Sequence, residues 1–112
     1  MELTYRKYLK IDELLSLQNP LSDGPEHDET LFIIIHQVYE LWFKQILHEL
    51  RRLAQLFENG ETAKSLHTLN RILAIWRTMV KQIDVLETMT PLSFGSFRSR
   101  LESASGFQSY QF

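Results

Sequence analysis

A phenylalanine and a histidine spaced one helical turn apart are the residues best placed to do chemistry. Phe32 and His36 lie in the segment FIIIHQVYELWFKQ, where a helix would point both side chains the same way. Apolar neighbours favour a neutral imidazole, which can accept a hydrogen bond from an N–H donor such as an indole. Phe32 could then form a stacking wall. The alternative interpretation is a core histidine whose ring is satisfied by a backbone carbonyl.

A second candidate is Arg98, which follows Phe94 and Phe97 in SFGSFRSRL. An arginine beside aromatic rings suits bidentate recognition of a carboxylate in a partly dry pocket. The alternative, which is the commoner case for an arginine, is a surface residue whose aliphatic stem lies along the core. Arg100 is two positions further on, so on a helix it faces elsewhere.

A metal site is a weaker interpretation of the same histidine. His36 and Glu40 are one turn apart and could hold a divalent ion only with further ligands from another element. The predicted third helix offers His67, Asp84 and Glu87, which do not form the Glu-x-x-His pattern of helical metal bundles. We therefore assign no residue to a metal. The sequence also has no phosphate loop, nucleophile elbow or catalytic triad.

Composition narrows the class of protein further. The 112 residues allow one small domain, and 44% hydrophobic residues with a net charge of −2 indicate a folded chain. The adjacent basic pairs are too few for a nucleic-acid partner. The absence of cysteine excludes disulfides and thiolate sites. Without a signal peptide or a membrane-spanning apolar run, a cytoplasmic location is expected.

Apolar spacing predicts an all-α fold, treated as a single unit over residues 1–112. Glycine and proline fall at breaks such as Asn59-Gly60, and the stretches between the breaks have helical periodicity. The predicted helices are a short one from about Tyr8 to Leu17, long ones over Asp28–Glu58 and Glu61–Glu87, and a short one from Ser93 to Leu101. The long pair should form an antiparallel hairpin. We interpret the stripe through Trp76 as packing.

Several blocks, in this order, resemble the tryptophan 2,3-dioxygenases. They are TYRKYL at residues 4–9, HDETLFIIIHQVYELWFKQ at 27–45, VLETMTP at 85–91, and SFGSFR with SGFQS between 93 and 109. The resemblance implies a larger helical haem-dioxygenase fold. It also implies that dioxygen bound to ferrous haem is inserted across the indole C2–C3 bond of L-tryptophan to give N-formylkynurenine.

The resemblance also implies roles for individual residues. His36 would meet the indole N–H and is the one residue given a catalytic role, as an orienting group and not an indispensable base. Arg98 would grip the substrate carboxylate with Phe94 beside it. The substrate-binding residues implied on the long helix are Phe32, Ile33, Ile34, Ile35 and His36. Three further substrate-binding residues, Tyr5, Tyr8 and Leu9, would reach into the pocket of the next subunit of a homotetramer. Ser105 and Gly106 would lie in a loop over substrate and haem.

This sequence departs from the family in length, since family members are much longer. In them, the histidine that ligates the haem iron lies in the C-terminal half, which this sequence lacks. We therefore expect a truncated product or a short paralogue that is inactive alone. A non-enzymatic helical module that only oligomerises is the competing hypothesis. Long helices with broad apolar faces in so short a chain predict self-association under either interpretation.

Overall fold

Two long helices joined by a tight turn dominate the chain in the computed structural model, which describes residues 2–21, 26–90 and 108–112. The elements are α1 (Tyr5–Tyr8), α2 (Ile11–Leu14), α3 (Asp28–Glu58) and α4 (Thr62–Leu86). The described residues form helices and no strand, so the prediction of an all-α fold is confirmed. None of these helices is both long and apolar enough to cross a lipid bilayer.

The turn between α3 and α4 depends on a glycine. Gly60 has φ of 67°, a left-handed conformation that costs glycine nothing sterically. The amide of Glu61 donates to Leu56 O at 3.0 Å, and the amide of Gly60 donates to Phe57 O at 3.1 Å. These are the paired hydrogen bonds of a Schellman motif, which satisfies the last carbonyls of α3 and reverses the chain. The break predicted at Asn59-Gly60 is therefore where the hairpin turns.

The α3–α4 interface is antiparallel, since Tyr39 contacts Met79 far from the turn and Glu49 contacts Arg71 nearer to it. Its core is narrow because each helix buries only one stripe. The buried apolar residues are Ile35, Ile46, Leu53, Leu56, Ile72, Ile75 and Met79. Trp76 is 42% exposed, so the interpretation of its stripe as packing holds only in part. One side of that stripe remains accessible to solvent.

The extent predicted for the first helix is wrong. Instead of one helix from Tyr8 to Leu17, two single turns, α1 and α2, are separated at Lys10, whose φ of 54° interrupts the helical backbone. Such short helices have too few internal hydrogen bonds to be stable without tertiary packing. No residue of either helix is buried. The fourth predicted helix, 93–101, lies outside the described residues.

Three side chains attach the N-terminal arm, residues 2–21, to the start of α3. Gln37 Nε2 donates to Leu17 O at 2.9 Å, and Gln18 Nε2 donates to Gln37 Oε1 at 2.9 Å. The backbone amide of Leu21 donates to Glu29 Oε2 at 2.8 Å, and Glu29 is only 1% exposed. These contacts hold the arm against the first turns of α3. Their anchoring residues on α3, Glu29 and Gln37, lie on either side of Phe32 and His36 in the sequence.

Candidate functional site

The centre of the candidate site is the pair Phe32 and His36 on α3. Their ring centroids are 4.4 Å apart and their planes are tilted by 39°, as expected for side chains four residues apart on a helix. Both side chains are half-buried. The structure therefore brings together the two residues that the sequence placed on one face.

The imidazole of His36 has a defined orientation. Its Nδ1 lies 2.7 Å from the backbone oxygen of Phe32. Because a carbonyl oxygen can only accept, Nδ1 must carry the hydrogen. In the neutral ring this leaves the lone pair on Nε2, which can accept a hydrogen bond from outside the helix. The carbonyl contact expected for a mere core histidine is thus present, and it also prepares Nε2 to receive an N–H donor.

The three isoleucines between these residues do not all share their face. Successive helical residues are rotated by about 100°, which places Ile33 and Ile35 on the flanks and Ile34 on nearly the opposite side from His36. Ile34 is 41% exposed, whereas Ile35 is only 7% exposed. Phe32 and His36 therefore share one face, with Ile33 beside them, and a substrate-binding role for Ile34 and Ile35 stays a prediction.

The other residues proposed for substrate or cofactor binding fall into two groups. Tyr5 and Tyr8 on α1 and Leu9 just after it are 76%, 70% and 45% exposed, so they present apolar surface to solvent and away from the hairpin core. Phe94, Arg98, Ser105 and Gly106 lie outside the described residues.

Glu40, one turn after His36, has contacts that the sequence did not lead us to expect. Its carboxylate accepts hydrogen bonds from Ser109 Oγ at 2.7 Å and Gln111 Nε2 at 2.9 Å. These bonds, chiefly the one from Gln111, lower the pKa of Glu40 below its ordinary value. The spacing of Glu40 from His36 in the sequence suggested only the role of a metal ligand. Among the described residues, no cluster of three or more His, Asp or Glu side chains could hold a metal ion.

Comparison with known proteins identifies the family. The family model described as tryptophan 2,3-dioxygenase matches residues 1–112, which is the whole chain. This chain belongs to the tryptophan 2,3-dioxygenase family. The resemblance stated from the sequence blocks is thereby confirmed.

Alignment with individual relatives shows what share of a family member's length this chain covers. A tryptophan 2,3-dioxygenase from Herpetosiphon aurantiacus is 66% identical over 98% of this chain, which covers 42% of that relative. One from Anaeromyxobacter sp. is 61% identical over 98% of the chain, covering 41% of the relative. One from Aedes aegypti is 50% identical over 98% of the chain, covering 30% of the relative. The chain thus corresponds to the N-terminal part of these longer relatives.

Proposed function

We propose that this chain forms the substrate-orienting part of a tryptophan 2,3-dioxygenase subunit, in which dioxygen opens the indole ring of L-tryptophan to give N-formylkynurenine. Membership of the family supports the reaction class. The observation that carries the assignment of this chain's own role is the Phe32–His36 pair. An aromatic wall stands beside an imidazole whose Nδ1 donates to Phe32 O, so that Nε2 is available.

The proposed role of His36 is to accept a hydrogen bond from the indole N–H. The bond to Phe32 O holds the ring, so little conformational freedom is lost when substrate binds. Phe32 would limit where the indole plane can lie. Such positioning of a reacting ring can lower a barrier without any proton transfer. His36 is therefore an orienting residue, and its removal should weaken the reaction without abolishing it.

The remaining substrate contacts are proposed from the resemblance. Arg98, with Phe94 beside it, would grip the carboxylate of tryptophan. Tyr5, Tyr8 and Leu9 would reach into the pocket of a neighbouring subunit in a homotetramer. Their exposure supports this, because large apolar side chains outside the core are stabilised when another surface covers them. A cytoplasmic location stays a prediction from the sequence.

Haem is the cofactor that the family implies, and when bound it would supply the activation of dioxygen. Ser105 and Gly106 are its proposed neighbours in this chain. The described residues do not fit a haem by themselves. His27, His48 and His67 are exposed, so none is set in an enclosed cradle, and His36 faces the substrate in this proposal. The apolar hollow of about 260 Å³ between α3 and α4 has no histidine in its lining. We therefore expect the iron ligand to come from elsewhere in the subunit.

A second candidate function is a helical module that assembles without catalysis, as a short paralogue would. The exposed apolar residues of α4 favour some assembly, for example Leu66 at 58% and Val80 at 62% exposure. Assembly by itself does not require an imidazole with an available nitrogen beside an aromatic wall. The Phe32–His36 geometry therefore favours the substrate-orienting role.

The experiment that tests the proposal needs a complete subunit. A suitable protein is a hybrid subunit in which residues 1–112 are followed by the remaining, C-terminal part of the Herpetosiphon aurantiacus relative. Binding of L-tryptophan is compared with binding of the analogue in which sulfur replaces the indole N–H. The analogue cannot donate to Nε2 and adds little bulk.

The unmodified hybrid subunit should bind tryptophan about tenfold more tightly than the sulfur analogue, the value of one well-placed hydrogen bond. His36→Ala should remove most of this discrimination. His48→Ala, which changes an exposed histidine on the same helix, should preserve it. An unchanged ratio in His36→Ala would show that His36 does not receive the indole N–H.

A further inference from the structure

Residues 108–112, termed the C-terminal segment below, are attached to the middle of α3 through one side chain. Ser109 Oγ donates to Glu40 Oε2 at 2.7 Å. Gln111 Nε2 donates to Glu40 Oε1 at 2.9 Å and to the backbone oxygen of Glu40 at 2.8 Å. Both amide hydrogens of Gln111 are therefore used, and both carboxylate oxygens of Glu40 accept a bond from the segment.

The network continues within the segment. The backbone amide of Phe112 donates to Ser109 Oγ at 3.1 Å, so the same hydroxyl accepts one hydrogen bond while it donates another. This fixes the direction of the Ser109 hydrogen, which must point to a group that only accepts. A carboxylate meets that requirement. A carboxamide presents an acceptor on one side only.

Apolar packing contributes less to the attachment than the polar contacts do. The ring of Phe112 lies 5.6 Å from the ring of Phe43, centroid to centroid, but Phe112 is 83% exposed. Tyr110 is fully exposed. Because the described residues cover so little apolar area here, the bonds to Glu40 are the main described contacts that place the segment on α3.

The position of Glu40 gives this attachment its functional meaning. Glu40 lies one helical turn beyond His36, on the same face of α3. The C-terminal segment that the carboxylate holds is therefore attached to α3 one turn from the imidazole.

We infer that Glu40 is a positioning residue, whose carboxylate places the C-terminal segment on α3 beside the substrate-facing histidine. Glu40 does not touch substrate in this arrangement. It acts through Ser109 and Gln111. The inference rests on the proposed function only for the statement that His36 faces substrate, and the attachment itself can be measured without tryptophan.

The test uses NMR on the isotopically labelled 112-residue chain. Hydrogen exchange of the Phe112 amide and the proximity of the Phe43 and Phe112 rings report whether the segment is attached. Glu40→Gln should raise the exchange rate of that amide about tenfold, because a charge-assisted acceptor is lost, and should weaken the ring contact. Glu58→Gln, at the exposed end of α3, is the matched control and should change neither signal. Circular dichroism checks that each variant keeps its helices.

A pH titration separates positioning from a general effect on folding. Since the folded pKa of Glu40 is lowered, the attachment should persist below the ordinary value of 4.5 and be lost as pH falls through the lowered value. The double variant Ser109→Ala, Gln111→Ala should return the pKa of Glu40 toward 4.5. Equal Phe112 exchange in the unmodified chain and Glu40→Gln, or an unshifted Glu40 titration in the double variant, would overturn the inference. Neither outcome would bear on tryptophan binding.

Discussion

Tyr39 on α3 donates a hydrogen bond of 2.9 Å from its hydroxyl to the backbone oxygen of Met79 on α4. Met79 belongs to the hydrophobic core with Ile46 and Ile75, and the ring of Tyr39 packs against that cluster. The side chain of Tyr39 therefore joins the two long helices by both apolar and polar contact. It does so about one helical turn after His36 on α3. The relative position of α3 and α4 behind the candidate site depends on this contact.

Replacing Tyr39 by phenylalanine should lower the free energy of unfolding by about 1 kcal/mol at neutral pH, the usual net value of one hydrogen bond. Burial raises the pKa of Tyr39 above 10.0, so its protonated form is favoured more in the folded chain than in the unfolded one. This contribution is fully present below pH 10.0 and is lost as pH rises through the folded pKa. Urea unfolding measures the free energy of unfolding of the unmodified chain and of Tyr39→Phe. The difference between them should be smaller above pH 10 than at neutral pH. A constant difference would contradict the assignment.

Arg71→Ala should destabilise the hairpin more than a comparable change at the surface. Arg71 Nη1 lies 3.6 Å from Glu49 Oε1, and the Glu49 side chain is only 4% exposed. Removing the guanidinium leaves a buried carboxylate with less compensation, at a cost of about 1–3 kcal/mol. Arg77→Ala, an exposed arginine on the same helix, should cost less than about 0.5 kcal/mol. Equal losses in thermal unfolding would show that the Glu49–Arg71 pair contributes nothing specific.

Self-association of the chain should depend on the N-terminal arm. Tyr8 is 70% exposed on α1, and a neighbouring copy that covered it would remove apolar surface from water. Tyr8→Ala should therefore weaken association measured by sedimentation, whereas Tyr110→Ala, at a tyrosine that is also exposed, should leave it unchanged. A compact monomer of the unmodified chain at micromolar concentration would argue against any oligomer.

Arg98 and Arg100 provide a matched pair in the hybrid subunit. If Arg98 grips the tryptophan carboxylate, Arg98→Ala should cost roughly 2–5 kcal/mol in kcat/KM, as expected when one partner of a buried charge pair is removed. Arg100→Ala should stay within about 0.5 kcal/mol of the unmodified protein. Steady-state kinetics with L-tryptophan measures both, and equal effects would mean that the carboxylate grip has been assigned to the wrong residue.

The long helices could be predicted from the sequence because their signals are local. Apolar residues at steps of three and four over Asp28–Glu58, ending at Asn59-Gly60, define both the helix and its turn. The same periodicity failed before Leu17, where one predicted helix is instead α1 and α2. There the apolar side chains remain exposed, so no tertiary packing stabilises a continuous helix.

The candidate site could be predicted only as far as helical spacing reaches. Phe32 and His36 are four residues apart, so their proximity follows from the helix alone. Glu40 and Gln111 are separated by 71 positions, and no periodicity links residues so distant. The block SGFQS indicated that Ser109 belongs to a family motif, but not that its hydroxyl would meet Glu40.

The division of roles between this chain and the rest of the subunit is tested most directly by adding ferrous haem to the purified chain. The Soret spectrum is recorded with and without L-tryptophan, and N-formylkynurenine is assayed under oxygen. The proposal assigns His36 to the substrate side, and the other three histidines are exposed, so we expect no stoichiometric histidine-ligated spectrum, no response to tryptophan and no product. A stoichiometric spectrum that responds to tryptophan, with N-formylkynurenine formed, would contradict the proposal that this chain supplies only the substrate side.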